Sequence, residues 1–206
     1  MSLEEDTTTR ARENTIGLVT EEEASERTRE LYDEIKGRAD VDDDLDLNKL
    51  WLMFGNDPEL LEVFSRHVEY MYSGGSLPFE LKSKMSLVGA SVMECEACRY
   101  FHESALDHIG VDGAEIERLE DLDLQGPGFS ATEEAVLRFT QKATEDPHSV
   151  TDEDLELLRD LGFSETELLQ LFDCIALHVY MSMMQAMSGI VYPGMTREQW
   201  TRPVEE

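Results

Sequence analysis

The chain has 206 residues, enough for one sizeable core, and its 41% hydrophobic content marks it as globular rather than disordered. Its 46 acidic residues against 17 basic ones give a formal charge of −29. That balance excludes nucleic-acid binding, which would have to overcome phosphate repulsion instead of gaining from counterion release.

Self-repulsion on this scale is costly in dilute buffer, whereas concentrated salt shortens the Debye length to about 3 Å at 1 M. Only five of the basic residues are lysine: Lys36, Lys49, Lys82, Lys84 and Lys142. The composition is therefore read as salt-adapted (halophilic), with an acidic interaction surface as the alternative. Residues 1–15 are polar and aperiodic and read as a mobile tail with no apolar leader, so residues 16–206 are expected to form a single domain. No stretch offers the ~20 apolar residues of a membrane span. The most apolar late segment, Cys174 to Val191, is interrupted by His178, Ser182, Gln185 and Ser188. The protein is expected to be soluble and cytoplasmic, with no membrane partner.

Thr20 followed by Glu21-Glu22-Glu23 has capping-box spacing and predicts a helix carrying Leu31, Tyr32 and Ile35 on its apolar stripe before Gly37. Asp40 to Asp46 reads as a solvated acidic linker, because it lacks the internal glycine and closing glutamate of a calcium loop. Leu47 to Phe54 and Pro58 to Tyr72 read as helices separated by Gly55-Asn56-Asp57. In the second, Leu60, Leu61, Phe64, Val68 and Met71 recur at three and four. After Ser73-Gly74-Gly75-Ser76, a helix from Leu77-Pro78 to Met93 carries Ser86, Gly89, Ala90 and Ser91, small residues that would let it press against the segment that follows.

That segment is Glu94-Cys95-Glu96-Ala97-Cys98-Arg99-Tyr100-Phe101-His102. Cys95, Cys98 and His102 fall at i, i+3 and i+7, one face of a helix. Glu94 and Glu96 suit its first turn, placing the thiols where free backbone N–H groups and the helix dipole favour a thiolate. Beyond Gly110 and Gly113, a short acidic helix runs to about Leu122, and Gln125-Gly126-Pro127-Gly128 is a loop. Caps at Ser130, Thr151 and Ser164 open three more helices, the last reaching about Met187. No alternation argues for a strand, so the fold class is all-α.

Three readings of the cysteine motif stay open. It is a redox dithiol, in which one thiolate meets an oxidant and the other closes a disulfide; or a zinc site of Cys95, Cys98 and His102 with a further ligand such as His67; or two small residues packing a helix interface in a non-catalytic interaction protein. Cys174-x-x-x-His178 repeats the spacing of Cys98-x-x-x-His102, which is read as coincidence. Cys174 is read as buried and inert, and His178→Ala is expected to retain activity. Met181, Met183, Met184 and Met187, with Tyr180 and Tyr192, suggest a subunit contact on the last helix.

Cys-x-x-Cys-x-x-x-His at a helix start, after the apolar Leu81 to Met93 and before Ala105-Leu106-x-x-x-Gly110, resembles the carboxymuconolactone decarboxylase superfamily, in particular its alkylhydroperoxidase AhpD-like branch. Asn56-Asp57-Pro58-Glu59-Leu60-Leu61, Leu155 to Leu161 and Gly162 to Leu168 support the likeness, which spans about residues 45–190. It implies a bundle of about eight helices, a homo-oligomer between dimer and hexamer, and an antioxidant peroxidase without cofactor or metal, acting on a peroxide and re-reduced by a thiol donor. It further implies Cys98 as the peroxidatic residue, Cys95 as the resolving one and His102 in the proton relay. The family's relay glutamate is Ser83 here, and the histidine between the cysteines is Ala97. Glu80, Glu94 and His67 are the candidate substitutes. A decarboxylase is the weaker match within the superfamily, because those enzymes need not carry the dithiol.

Overall fold

The computed structural model describes residues 16–38, 48–125 and 128–190. Among these are nine α-helices, one 3-10 turn and no strand: α1 (Glu26–Arg38), α2 (Lys49–Phe54), α3 (Pro58–Ser73), α4 (Phe79–Val92), α5 (Glu96–His108), α6 (Gly113–Glu120), α7 (Ala131–Glu145), α8 (Asp152–Asp160) and α9 (Glu165–Ser188). The all-α expectation holds, with one helix more than anticipated. The N-terminal tail, the acidic run Asp40 to Asp46, Gly126-Pro127 and Tyr192 lie outside the described residues.

Most helices start where their caps are written. Asp57 Oδ1 accepts from the backbone N–H groups of Glu59 and Leu60, and Ser130 and Ser164 exchange hydrogen bonds with Glu133 and Glu167. The first helix departs from expectation. The Thr20 hydroxyl does donate to Glu23 at 2.9 Å, but the bond closes only a turn. The helix begins at Glu26, with the Ser25 hydroxyl accepting from the Thr28 N–H. Long-range bonds fix the preceding chain instead: Val19 donates to the Leu52 carbonyl, and its own carbonyl accepts from the Tyr32 hydroxyl, both at 2.9 Å. Gly162, at φ +101°, ends α8 in the left-handed region that favours glycine, and the Phe163 N–H reaches back to the Leu158 carbonyl.

Helix α4 is the axis of the fold. It packs against α3, α5, α6, α7 and α9, so every residue from Lys82 to Ala90 is buried and that stretch has no solvent face. Two lysines inside it are satisfied locally. Lys82 donates to the Gly74 carbonyl at 2.9 Å, while Lys84 pairs with Glu80, Glu115 and Glu133 at 2.6–2.8 Å and so ties α4 to α6 and α7. Ser86 and Gly89 give α9 room, and the Ser86 hydroxyl returns a bond to the Lys82 carbonyl at 2.6 Å. Among the described residues, no helix is long and apolar enough to cross a membrane.

Candidate active site at the junction of α4, α5 and α9

The chain leaves α4 through a tight reversal in which Cys95 donates to the Ala90 carbonyl and Glu94 adopts φ +52°. Glu94 therefore stands exposed outside the helix, not in its first turn as its spacing suggested. Cys95 is the N-cap of α5 and Cys98 lies in its first turn, so the position near the helix N-terminus holds. The two cysteines form a disulfide with Cα atoms 5.3 Å apart. Cys98 is buried, and Cys95 is partly exposed.

His102, one turn further along α5, is buried and meets His178 of α9, Nε2 to Nε2, at 3.0 Å. The Tyr72 hydroxyl of α3 lies 3.4 Å from the first nitrogen and 3.3 Å from the second. The protonation pattern follows from the partners. His178 Nδ1 is 2.8 Å from the Cys174 carbonyl, which can only accept, so Nδ1 carries the proton and Nε2 of the neutral ring is a lone pair. His102 must then donate from Nε2, leaving its Nδ1 as a bare, buried base without a partner. Burial pushes His178 down to about 4 and holds His102 well below the usual range, and the neighbouring His178 lowers His102 further. Both rings are neutral near pH 7. Burial also raises the Tyr72 hydroxyl and pushes Cys174 up to about 12, which keeps the lone thiol protonated and unreactive.

Helix α9 also reaches the dithiol. Gln185 Nε2 donates to Cys98 Sγ at 3.1 Å, and Ser182 Oγ lies 3.6 Å from the same sulfur. A disulfide sulfur has no proton, so the hydroxyl is the donor. His178, Ser182 and Gln185 thus form one polar stripe at i, i+4 and i+7. The signal was present in the sequence: these residues are the interruptions that ruled out a membrane span. The Cys174-His178 spacing brings a backbone contact alone: the Cys174 carbonyl, which any residue at that position would supply, orients the ring that touches His102. His178, taken above as a control position, lies 3.0 Å from His102.

The remaining candidates lie elsewhere. Glu80 bonds Lys84 at 2.7 Å. Its oxygen, with those of Glu115 and Glu133, makes the sole grouping of potential metal ligands among the described residues, and the Lys84 ammonium already sits there as the cation. Ser83 is fully buried with no partner for its hydroxyl. His67 is partly exposed with Nε2 2.9 Å from Asp173, and the four residues considered for zinc are not brought together.

No family model and no curated protein matches the chain. Solved structures do. A peroxidase-related protein from Silicibacter sp. TM1040 superposes with a TM-score of 0.76 at 16% identity, covering 94% of this chain and 99% of its own. The AhpD core of a peroxidase-related protein from Ralstonia eutropha JMP134 gives 0.73 at 16%, with 86% and 90% covered. A variant of the debrominase Bmp8 in complex with 2,3,4-tribromopyrrole gives 0.75 at 14%, with 91% and 96% covered. The helices, their order and the near-complete coverage agree: this chain has the fold of the AhpD-like, peroxidase-related proteins.

Proposed function

We propose that the chain is a cofactor-free dithiol peroxidase. The observation that carries this reading is the juxtaposition of the Cys95-Cys98 pair at the start of α5 with the buried, neutral His102-His178 pair one turn along. The Cys98 thiolate attacks the O–O bond of a hydroperoxide, becoming a sulfenic acid while the departing alkoxide takes a proton through His102 and leaves as an alcohol. The Cys95 thiol then displaces hydroxide, which leaves as water, and closes the disulfide. Two thiols of an external donor restore the dithiol. In this scheme Tyr72 and His178 take over the role of the missing relay glutamate, fixing the tautomer of His102 and exchanging protons with it.

The test is peroxide consumption in concentrated salt with a thiol donor. Activity should vanish in Cys98→Ser, and full activity in that variant would sink the assignment. The fold shared with Bmp8 supports a second reading in which the same thiolate takes bromine from a brominated pyrrole as a sulfenyl bromide, the ring carbon keeps the C–Br electron pair and takes up a proton, and Cys95 displaces bromide, closing the same disulfide. Bromide release outpacing peroxide turnover would favour it. We further propose a cytoplasmic, salt-adapted homo-oligomer. Leu169, Phe172, Tyr180, Met183 and Met187 of α9 are exposed and support a contact between copies, whereas Met181 is core. A monomer by light scattering would overturn that proposal.

A further inference from the structure

Resting on the dithiol reading, we propose that the disulfide is polarised. The reducing thiol attacks Cys95 Sγ, and Cys98 Sγ departs as a thiolate held by Gln185 and Ser182. Three observations converge on this direction. Cys95 is partly exposed at the N-cap, while Cys98 is 6% exposed beneath α9, so Cys95 is the more accessible of the two to a donor thiol. The Gln185 amide and the Ser182 hydroxyl, 8% and 4% exposed, both point donors at Cys98 Sγ. Among the described residues no donor reaches the Cys95 sulfur.

A neutral disulfide sulfur is a weak acceptor, so two buried donors gain little from it in the oxidised state. A thiolate in the same place makes charge-assisted bonds with both, and the first turn of α5 adds its dipole. Exchange is faster when the leaving thiol has the lower pKa. In the other half of the cycle the same donors raise the fraction of Cys98 present as thiolate, the form that meets the oxidant. In the step, the donor thiolate forms an S–S bond to Cys95, the Cys95-Cys98 bond breaks, and its electron pair stays on Cys98. A second donor thiol then attacks the donor sulfur of the mixed disulfide and releases Cys95. Two donor thiols become one disulfide, and their two protons reside on the restored protein dithiol.

The test uses the oxidised parent protein. It is mixed with 2-mercaptoethanol, quenched in acid, alkylated with N-ethylmaleimide and mapped by mass spectrometry. Mercaptoethanol should sit on Cys95 and maleimide on Cys98, in about tenfold excess over the reverse pattern. An even or reversed distribution overturns the polarity while leaving dithiol cycling intact, whereas a parent that forms no Cys95-Cys98 disulfide with peroxide overturns the function on which it rests. Gln185 is tested as a positioning residue by ultraviolet thiolate titration in the Cys95→Ser background, where Cys174, at about 12, absorbs outside the range. Gln185→Leu should weaken Cys98 ionisation about tenfold, one unit in midpoint. An unchanged midpoint overturns its role. The trapping experiment needs no variant, so misfolding of Gln185→Leu cannot shelter the proposal.

Discussion

Acid should find the buried histidines first. His178 is pushed by burial to about 4 in the folded chain, from 6.5 for the free side chain. Below about 6.5 the unfolded chain binds a proton that the folded chain refuses, so stability falls as pH drops toward 4 and is intact above 6.5. Full protonation would cost roughly 3 kcal/mol, and at about pH 4.5 most of that is already lost. His102, lowered by burial and by His178, acts in the same direction. The perturbation is His178→Gln, which keeps an amide able to donate toward the Cys174 carbonyl but cannot titrate. Urea unfolding in concentrated salt, at pH 7 and about 4.5, measures the difference. Carboxylate contributions are common to both proteins and cancel. The parent should lose about 2–3 kcal/mol more than the variant on acidification. Equal losses would refute the burial of an uncharged imidazole at this position.

Peroxide turnover at pH 7 should fall about tenfold to hundredfold in His178→Gln, since it acts through His102, and Tyr72→Phe should fall less; turnover equal to the parent in both would remove the relay. Lys84→Met leaves three carboxylates around an absent cation and should cost about 3 kcal/mol, or roughly 10 °C in Tm for a chain of this size. The cluster also resists acid: burial pushes Glu133 up, but bonds from Lys84 and Ser130 outweigh it and hold it at about 2, so its contribution is present above 4.5 and lost as pH falls toward 2. A melting point within about 2 °C of the parent would show the cluster to be incidental. Raising salt from about 0.1 to 2 M should raise Tm through screening of the −29 charge; a flat or falling profile argues against salt adaptation. Gly89→Ala should be tolerated, since an added Cβ meets His178 Cβ and Thr144 Oγ1 at ordinary distances of 3.8 and 3.9 Å. Gly55→Ala should destabilise by about 2 kcal/mol or more, because its Cβ collides with the Tyr32 hydroxyl. Thermal melts of the two variants in parallel would expose an error in either packing.

The helices were legible because their signals are local. Ser130 with Glu133, Ser164 with Glu167, and Asp57-Pro58 each satisfy backbone donors within one turn, so a few adjacent residues suffice to place a start. Thr20 misled for the complementary reason: its local bond forms, but Leu52 and Tyr32 dictate where the chain goes. The dithiol was equally local, because its two sulfurs are held within three residues.

The cluster around His102 was not legible. Its partners come from α3 and α9, 30 and 76 residues away; Tyr72 carries no neighbouring motif, and the Cys174-x-x-x-His178 spacing does not say which ring His178 faces. The candidates that sequence did offer, Glu80, Glu94, Ser83 and His67, were chosen for titratable chemistry or motif position, and their surroundings place them at an ammonium cluster, an exposed turn, a packed helix face and a partly exposed hydrogen bond to Asp173. By itself the sequence determined the helices, the acid-rich surface and the pair of sulfurs at a helix start, since propensity, charge and short-range spacing act within a few residues. Which imidazole faces His102, which donors face Cys98, and which histidine is left partly exposed were decided by the packing of α9 across α4 and α5, because distant side chains acquire partners only when buried together.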